Sequence, residues 1–262
     1  MAYTTKTIKV SLSYIQEMMT SKEDFDVLAF CLLVQLNLNT PKIYRATMRR
    51  LKEVTRLGND KLKRIIDYCV AHGMITRESN GTLTIHSLNK DDVYLYKFSN
   101  KYQKRNRTQK LSFNLTLKDV KDMLRKAVVA NKIKEIEGIR ETILLTKNPR
   151  TLKDYRKGRN LRKRLSVWGE NYFISNSKLA STANCSISKL RQIKNQMLQR
   201  KEIERGYSNT YVCEEKDFNF EAYKRTIGCG FLFRHEGRVY KHNPNVYSYK
   251  GKNICFVPKN NK

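Results

Sequence analysis

The sequence has no Cys-x-x-Cys pair, no hydrophobic run of membrane-spanning length and few acids: 24 Asp and Glu stand against 53 Lys and Arg, a formal charge of +29 at pH 7 over 262 residues. Each shortage excludes something. The six cysteines (Cys31, Cys69, Cys185, Cys213, Cys229 and Cys255) are scattered, mostly within apolar patterns where a thiol packs as a small hydrophobe. A disulfide framework is therefore not expected, and a reducing compartment is. The best apolar run, Val27 to Val34, falls far short of the roughly 20 residues that cross a bilayer, and the opening MAYTTKTIKV has no apolar signal core. These features predict a soluble cytoplasmic protein with no membrane association. No G-x-x-x-x-G-K-[ST] loop appears and no acidic cluster suits a pair of catalytic metals, so no enzyme activity, metal or cofactor is expected.

What is present is positive charge, and it lies in stripes. From Lys97 to Lys110 the segment KFSNKYQKRNRTQK has six basic residues and no acid, and from Lys147 to Arg164 nine basic residues surround the single Asp154. Such self-repulsion is relieved by a polyanion, which points to nucleic acid as the partner. Within the second stripe Arg156, Arg159, Arg162 and Arg164 are candidate phosphate anchors. Tyr102, Tyr155 and Trp168 lie in or beside the stripes and either stack on single-stranded bases or simply pack under a loop.

The apolar pattern supplies the scaffold. After a short strand over Thr7 to Leu12, Phe25, Leu28, Leu32 and Leu36 recur at helical spacing behind a Ser21/Asp24 capping box, and Thr40-Pro41 ends that helix. Met48, Leu51 and Val54 mark a second helix that runs to Leu57-Gly58-Asn59, where Gly and Asn suit the positive φ of a tight turn. Leu62, Ile65, Ile66 and Cys69 form the stripe of a third helix closed by His72-Gly73. Met74 to Glu78 and Thr82 to His86 then read as strands around an Asn-Gly turn at Ser79-Asn80-Gly81.

The same order returns 128 residues later without a gap: Leu51 matches Leu179, Lys61 matches Lys189, Leu62 matches Leu190, Ile65 matches Ile193, Ile75 matches Ile203, Arg77 matches Arg205 and Thr82 matches Thr210. In this second copy, Ser177 to Ala183 is the short helix, Asn184-Cys185-Ser186 the turn, Ile187 to Gln199 the third helix and Gly206 to Asn209 the hairpin tip. Between the copies Val120, Leu124, Ala127, Val128, Ile133, Ile136, Ile139 and Ile143 predict one long helix or two, starting near Thr116 and Asp119, with Gly138 a candidate break. After Glu214 short strands are expected, joined by turns at Glu236-Gly237 and Asn243-Pro244 and followed by a basic tail.

Placing the apolar stripes inward fixes what faces out. On the first copy's third helix these are Asp60, Arg64, Asp67, Tyr68 and Ala71, flanked by Lys61 and Lys63; on the second they are Ser188, Gln192, Asn195, Gln196 and Gln199, flanked by Lys189 and Arg191. Solvent-facing amides contribute little to folding, but Asn and Gln both donate to and accept from an adenine edge. The second helix is thus the better base reader. Asp60 and Asp67 repel phosphate, so the first helix either reads a cytosine amino group, holds the backbone through Lys61, Lys63 and Arg64, or dimerises. Arg77 and Arg205 suit a minor-groove or phosphate contact, or are plain surface charges. His235 and Arg238, with Tyr247 or Tyr249, imitate a recombinase motif but straddle a hairpin turn, and Cys229, His235, His242 and Cys255 lack zinc-knuckle spacing.

The segments ATMRRLKEVTRLGNDKLKRIIDYCVAHGMI and SKLASTANCSISKLRQIKNQMLQRKEI resemble helix-turn-helix elements, and over Thr20 to Leu88 and Ser166 to Cys213 the chain resembles tandem winged-helix DNA-binding proteins such as plasmid and phage replication initiators. The expected fold is α+β: two winged helix-turn-helix modules joined by a helical segment, with a C-terminal β extension. The expected division is a first module over 1–96, a basic linker and helical segment over 97–164, a second module over 165–216 and the extension and tail over 217–262. The resemblance implies double-stranded DNA as partner, binding at repeated origin sites, contact with replication or transcription machinery, and a monomer or homodimer. A transcription regulator and a packaging protein that coats nucleic acid by charge are the alternatives.

Overall fold

A computed structural model describes residues 3–38, 42–43, 47–86, 88, 94–103, 115–147, 175–219, 221 and 231–256. The chain is mixed α and β and divides into two units. One comprises Met1–Val129, Thr182–Cys185 and Lys252–Lys262, the other Ala130–Ser181 and Ser186–Gly251. Among the described residues there are seven α-helices and three small antiparallel sheets.

In the first unit β1 (Tyr3–Ser11) leads into α1 (Leu12–Met18), whose start is capped by Ser11 Oγ accepting from the Tyr14 amide at 3.2 Å. The expected Ser21/Asp24 cap opens α2 (Lys22–Leu38): the Asp24 amide donates to Ser21 Oγ at 3.0 Å, and that hydroxyl donates to the Asp24 carboxylate. A single apolar stripe was expected here. Instead every residue from Val27 to Val34 is 1% exposed or less, because α1 and β1, together with α3 (Met48–Thr55), α4 (Asn59–Ala71) and β5 (Tyr94–Gln103), pack around this helix. A helix that is apolar on all sides is a core helix, and each such Leu or Phe contributes about 1.5–3 kcal/mol. Cys31 of α2 and Cys69 are both fully buried as small hydrophobes, and their contact together with burial pushes the Cys31 thiol well up.

The chain continues through β2 (Lys42–Ile43), α3 (Met48–Thr55), α4 (Asn59–Ala71), β3 (Ile75–Arg77) and β4 (Leu83–Ile85). β4 lies between β2 and β3, with Ile43 opposite Leu83 and Ile75 opposite Ile85. The hairpin falls where expected, but with a different turn. Glu78 and Thr82 close a three-residue loop in which Gly81 alone takes positive φ (79°), the pattern of a type I turn followed by a left-handed residue rather than a two-residue Asn-Gly turn. The positive φ between α3 and α4 is also displaced. It sits on Arg56 (57°), whose amide returns to the Lys52 carbonyl, whereas Gly58 is extended at φ −67° as the N-cap of α4. A left-handed residue reverses the chain directly after a helix, while an N-cap requires extended backbone.

β5 (Tyr94–Gln103) pairs along its length with β1 and, at its start, with β9 (Ile254–Phe256). α5 (Leu117–Lys147) is one helix that passes Gly138 without a break. Its capping box is reciprocal: the Asp119 amide donates to Thr116 Oγ1 and the Thr116 amide to the Asp119 carboxylate at 2.8 Å. Val120, Leu124, Ala127 and Val128 are fully buried in the first unit, as their spacing predicted. Asn37 at the end of α2 donates to the carbonyls of Val54 and Leu115, joining α2 to α3 and to the approach to α5.

In the second unit, apart from Thr182, α6 (Asn176–Thr182), α7 (Ile187–Gln199) and β6 (Ile203–Glu214) follow one another, and β8 (Arg238–Tyr249) lies between β6 and β7 (Phe231–His235). The expected hairpin tip at Gly206–Asn209 is not formed. β6 runs straight through these residues, with Gly206 opposite Val246 and Asn209 opposite His242. The turn expected at Asn243-Pro244 is likewise absent: β8 continues, and Pro244 and Asn245 lie opposite the single residue Tyr207. Proline has no amide to donate, and a bulge is where a strand tolerates it. The expected Glu236-Gly237 turn does join β7 to β8, with both residues at positive φ (50° and 69°) and His235 paired with Arg238.

Candidate nucleic-acid interface

The 128-residue repeat recurs in the backbone, from α3 to β3 and from α6 to the start of β6, with α3 one residue longer than α6. The bounds of the longer helices coincide: Asn59–Ala71 becomes Ile187–Gln199. Thr47 Oγ1 accepts from the amide of Arg50 at 3.2 Å, as Ser175 Oγ does from that of Lys178 at 3.1 Å. Arg56 and Asn184 are both left-handed, as are Gly73 and Lys201. The Met74 amide returns to the Cys69 carbonyl at 2.9 Å, and that of Glu202 to Met197 at 2.8 Å. Leu51 and Leu179, Leu62 and Leu190, Ile65 and Ile193, and Ile75 and Ile203 are buried in their respective units. Beyond Arg77 and Arg205, both exposed, the copies part, so the Thr82/Thr210 match in sequence joins a residue beside β4 to one inside β6.

On α7, Ser186 is an extended N-cap whose Oγ accepts from the Lys189 amide. Leu190, Ile193 and Met197 face inward at 2% exposure or less. Outward lie Ser188, Arg191, Gln192, Asn195, Gln196 and Gln199, all exposed, with Lys189 half-buried. The predicted amide face is therefore presented to solvent on a helix with three cations and no acid.

The equivalent face of α4 has a different character. Asp60, Lys61, Lys63, Arg64 and Asp67 are exposed, three cations against two acids. Lys61 is engaged by Asp26 at 3.4 Å, and Asp26 is also held by Lys121 from α5. Tyr68 does not reach outward as expected. It is half-buried, its hydroxyl donates to Asp24 Oδ1 at 2.7 Å, and its ring stacks on His72 with centroids 3.9 Å apart. That bond, with a second from Ser21, holds the Asp24 carboxyl below the usual range and pushes the Tyr68 phenol up.

One buried charged residue escaped sequence reading. Lys194 lies on the inner face of α7 at 5% exposure, where the first copy has Ile66. Its Nζ donates to Asn176 Oδ1 at 2.6 Å and sits 4.7 Å from the centroid of the Tyr247 ring. Burial, then the charges of Arg205 and Arg191, lower the ammonium from its ordinary value of 10.5 to about 8. Aligning the two copies is the signal that would have found it.

Arg156, Arg159, Arg162 and Arg164, with Tyr155 and Trp168, lie outside the described residues, as do Lys104–Lys110 of the first stripe and Cys229. Among the described residues no cluster of His, Cys, Asp or Glu is arranged for a metal, and no helix is long and apolar enough to cross a membrane. Comparison with known protein families, with curated proteins and with solved structures found no match.

Proposed function

We propose that this chain binds double-stranded DNA in a sequence-dependent manner, without catalysis, through two related helix pairs of which the second reads bases. The observation that carries this is the amide face of α7: Gln192, Asn195, Gln196 and Gln199 exposed on one side of a capped helix, with cations beside them and no acid on the helix. Such side chains form paired hydrogen bonds with adenine in a major groove wide enough for a helix. The first copy's succession α2, β2, α3, α4, β3, β4, with β2 paired to β4, supports reading it as a winged helix, with α4 as the groove helix and the Ser79–Gly81 loop as the wing. In this reading α4, with its mixed charges, holds phosphates through Lys63 and Arg64, while Arg77 and Arg205 flank the helices as backbone contacts. The basic stripe with Arg156, Arg159, Arg162 and Arg164 supplies further sequence-independent affinity. Replication initiation at repeated sites is the process that the resemblance to tandem winged-helix proteins implies for such a chain. Selection of bound duplexes from a random pool at moderate salt tests the reading. Enrichment of a sharp A·T-containing motif is expected, and recovery of no motif would contradict it in favour of coating by charge alone.

A further inference from the structure

The two copies differ most at one buried position: Ile66 in α4 and Lys194 in α7. An apolar residue is what the position calls for, since the residues around it in the stripe (Leu190, Ile193, Met197) are aliphatic or thioether and 2% exposed or less. A lysine placed there loses hydration, and the second unit replaces it in part with the Asn176 carbonyl from α6 and the face of Tyr247 from β8. Arg191 on α7 and Arg205 on β6 are two of the charged groups that act on it, both repelling it. The cation thus lies on the inner side of the helix whose outer side is the amide face, with Arg191 and Arg205 near it.

We propose that Lys194 is a positioning residue that couples DNA binding to proton uptake: protonated, it ties α6 and β8 to the back of α7 and draws phosphates to the helix; deprotonated, it does neither. This rests on the DNA-binding reading of α7. Burial, then Arg205 and Arg191, lower the ammonium to about 8. A phosphate about 10 Å away across the helix, at an effective dielectric of about 20, raises it by about one unit. The protonated form then binds more tightly, so affinity falls as pH rises. The expected loss is about fivefold between about pH 7 and pH 9, with uptake of about 0.5 proton per chain near pH 8.5.

The test measures binding of the full chain to a fluorescein-labelled mixed-sequence duplex across this pH range at fixed salt, for the wild type, Lys194→Ile and Lys194→Met. The isoleucine variant installs the residue that the first copy already accommodates, and methionine keeps the unbranched shape. Circular dichroism at each pH monitors the fold. Calorimetry of the wild type in buffers of different ionisation enthalpy reads proton uptake without any variant. The proposal expects the wild type to lose about fivefold more affinity than either variant over the range, with heats that depend on the buffer. Parallel pH profiles with buffer-independent heats overturn it while leaving DNA binding intact. Absence of duplex binding by wild type and variants at every pH overturns both this proposal and the reading on which it rests.

Discussion

The two copies of the repeat share a backbone and little of their chemistry. Both place a hydroxyl cap at the start of the short helix, a left-handed residue after it and three matching apolar residues inside the longer helix, Leu62, Ile65 and Cys69 in one copy and Leu190, Ile193 and Met197 in the other. On the outer face one copy has Asp60, Arg64 and Asp67 and the other Ser188, Gln192 and Asn195. The difference teaches that caps and a narrow buried stripe accompany the shared helix pair, while the chemistry of the exposed side varies independently of them. It teaches also where local specification ends. Ile75–Arg77 and Ile203–Arg205 begin strands in register, yet one strand turns back at Gly81 and the other continues to Glu214, because β8 offers it a partner along its length.

If the shared backbone rests on the buried stripe, equivalent truncations should have equivalent costs. Leu62→Ala and Leu190→Ala, both at fully buried sites, are each expected to destabilise their own copy by about 2–5 kcal/mol in denaturant unfolding. A neutral outcome at either position breaks the equivalence.

A smaller effect is expected at the left-handed positions after the longer helices, where the first copy has Gly73 (φ 65°) and the second Lys201 (φ 54°). A side chain in this region costs about 1–2 kcal/mol. Gly73→Ala should therefore lower the melting temperature and Lys201→Gly should raise it. Equal signs for the two exchanges would show that the αL positions are not equivalent.

The N-caps of the longer helices sharpen the comparison further. Gly58 has no side-chain bond to its helix, while Ser186 has one to the Lys189 amide. Ser186→Ala is expected to cost about 1 kcal/mol, and Gly58→Ser to gain a few tenths, both measured by thermal unfolding.

Much of this was legible in sequence because it is local. Ser21/Asp24 and Thr116/Asp119 announce helix starts, Leu62–Cys69 a stripe, and Ser79-Asn80-Gly81 a hairpin, each from residues within one or two turns of each other. The features missed depend on distant partners. Tyr68 looked outward by helical phase but is bonded to Asp24, 44 residues earlier, and α2 looked one-sided but is enclosed by elements on every side. Gly206–Asn209 has hairpin composition, and only pairing with residues 242–246 keeps it extended. Lys194 reads as a surface lysine until it is set against Ile66. The amide face of α7, by contrast, was fully legible, since it needs only the helix period and a capped start.

The central claim is that this face reads bases, and the most direct measurement is a titration of the selected duplex and of a random duplex with wild-type chain, Gln192→Ala and Asn195→Ala. The account predicts a loss on the order of 1–3 kcal/mol on the selected duplex, confined to one or two base pairs when each pair is varied, with random-duplex affinity unchanged. Equal losses on selected and random DNA would contradict it, leaving α7 a contact to the backbone rather than a reader of sequence.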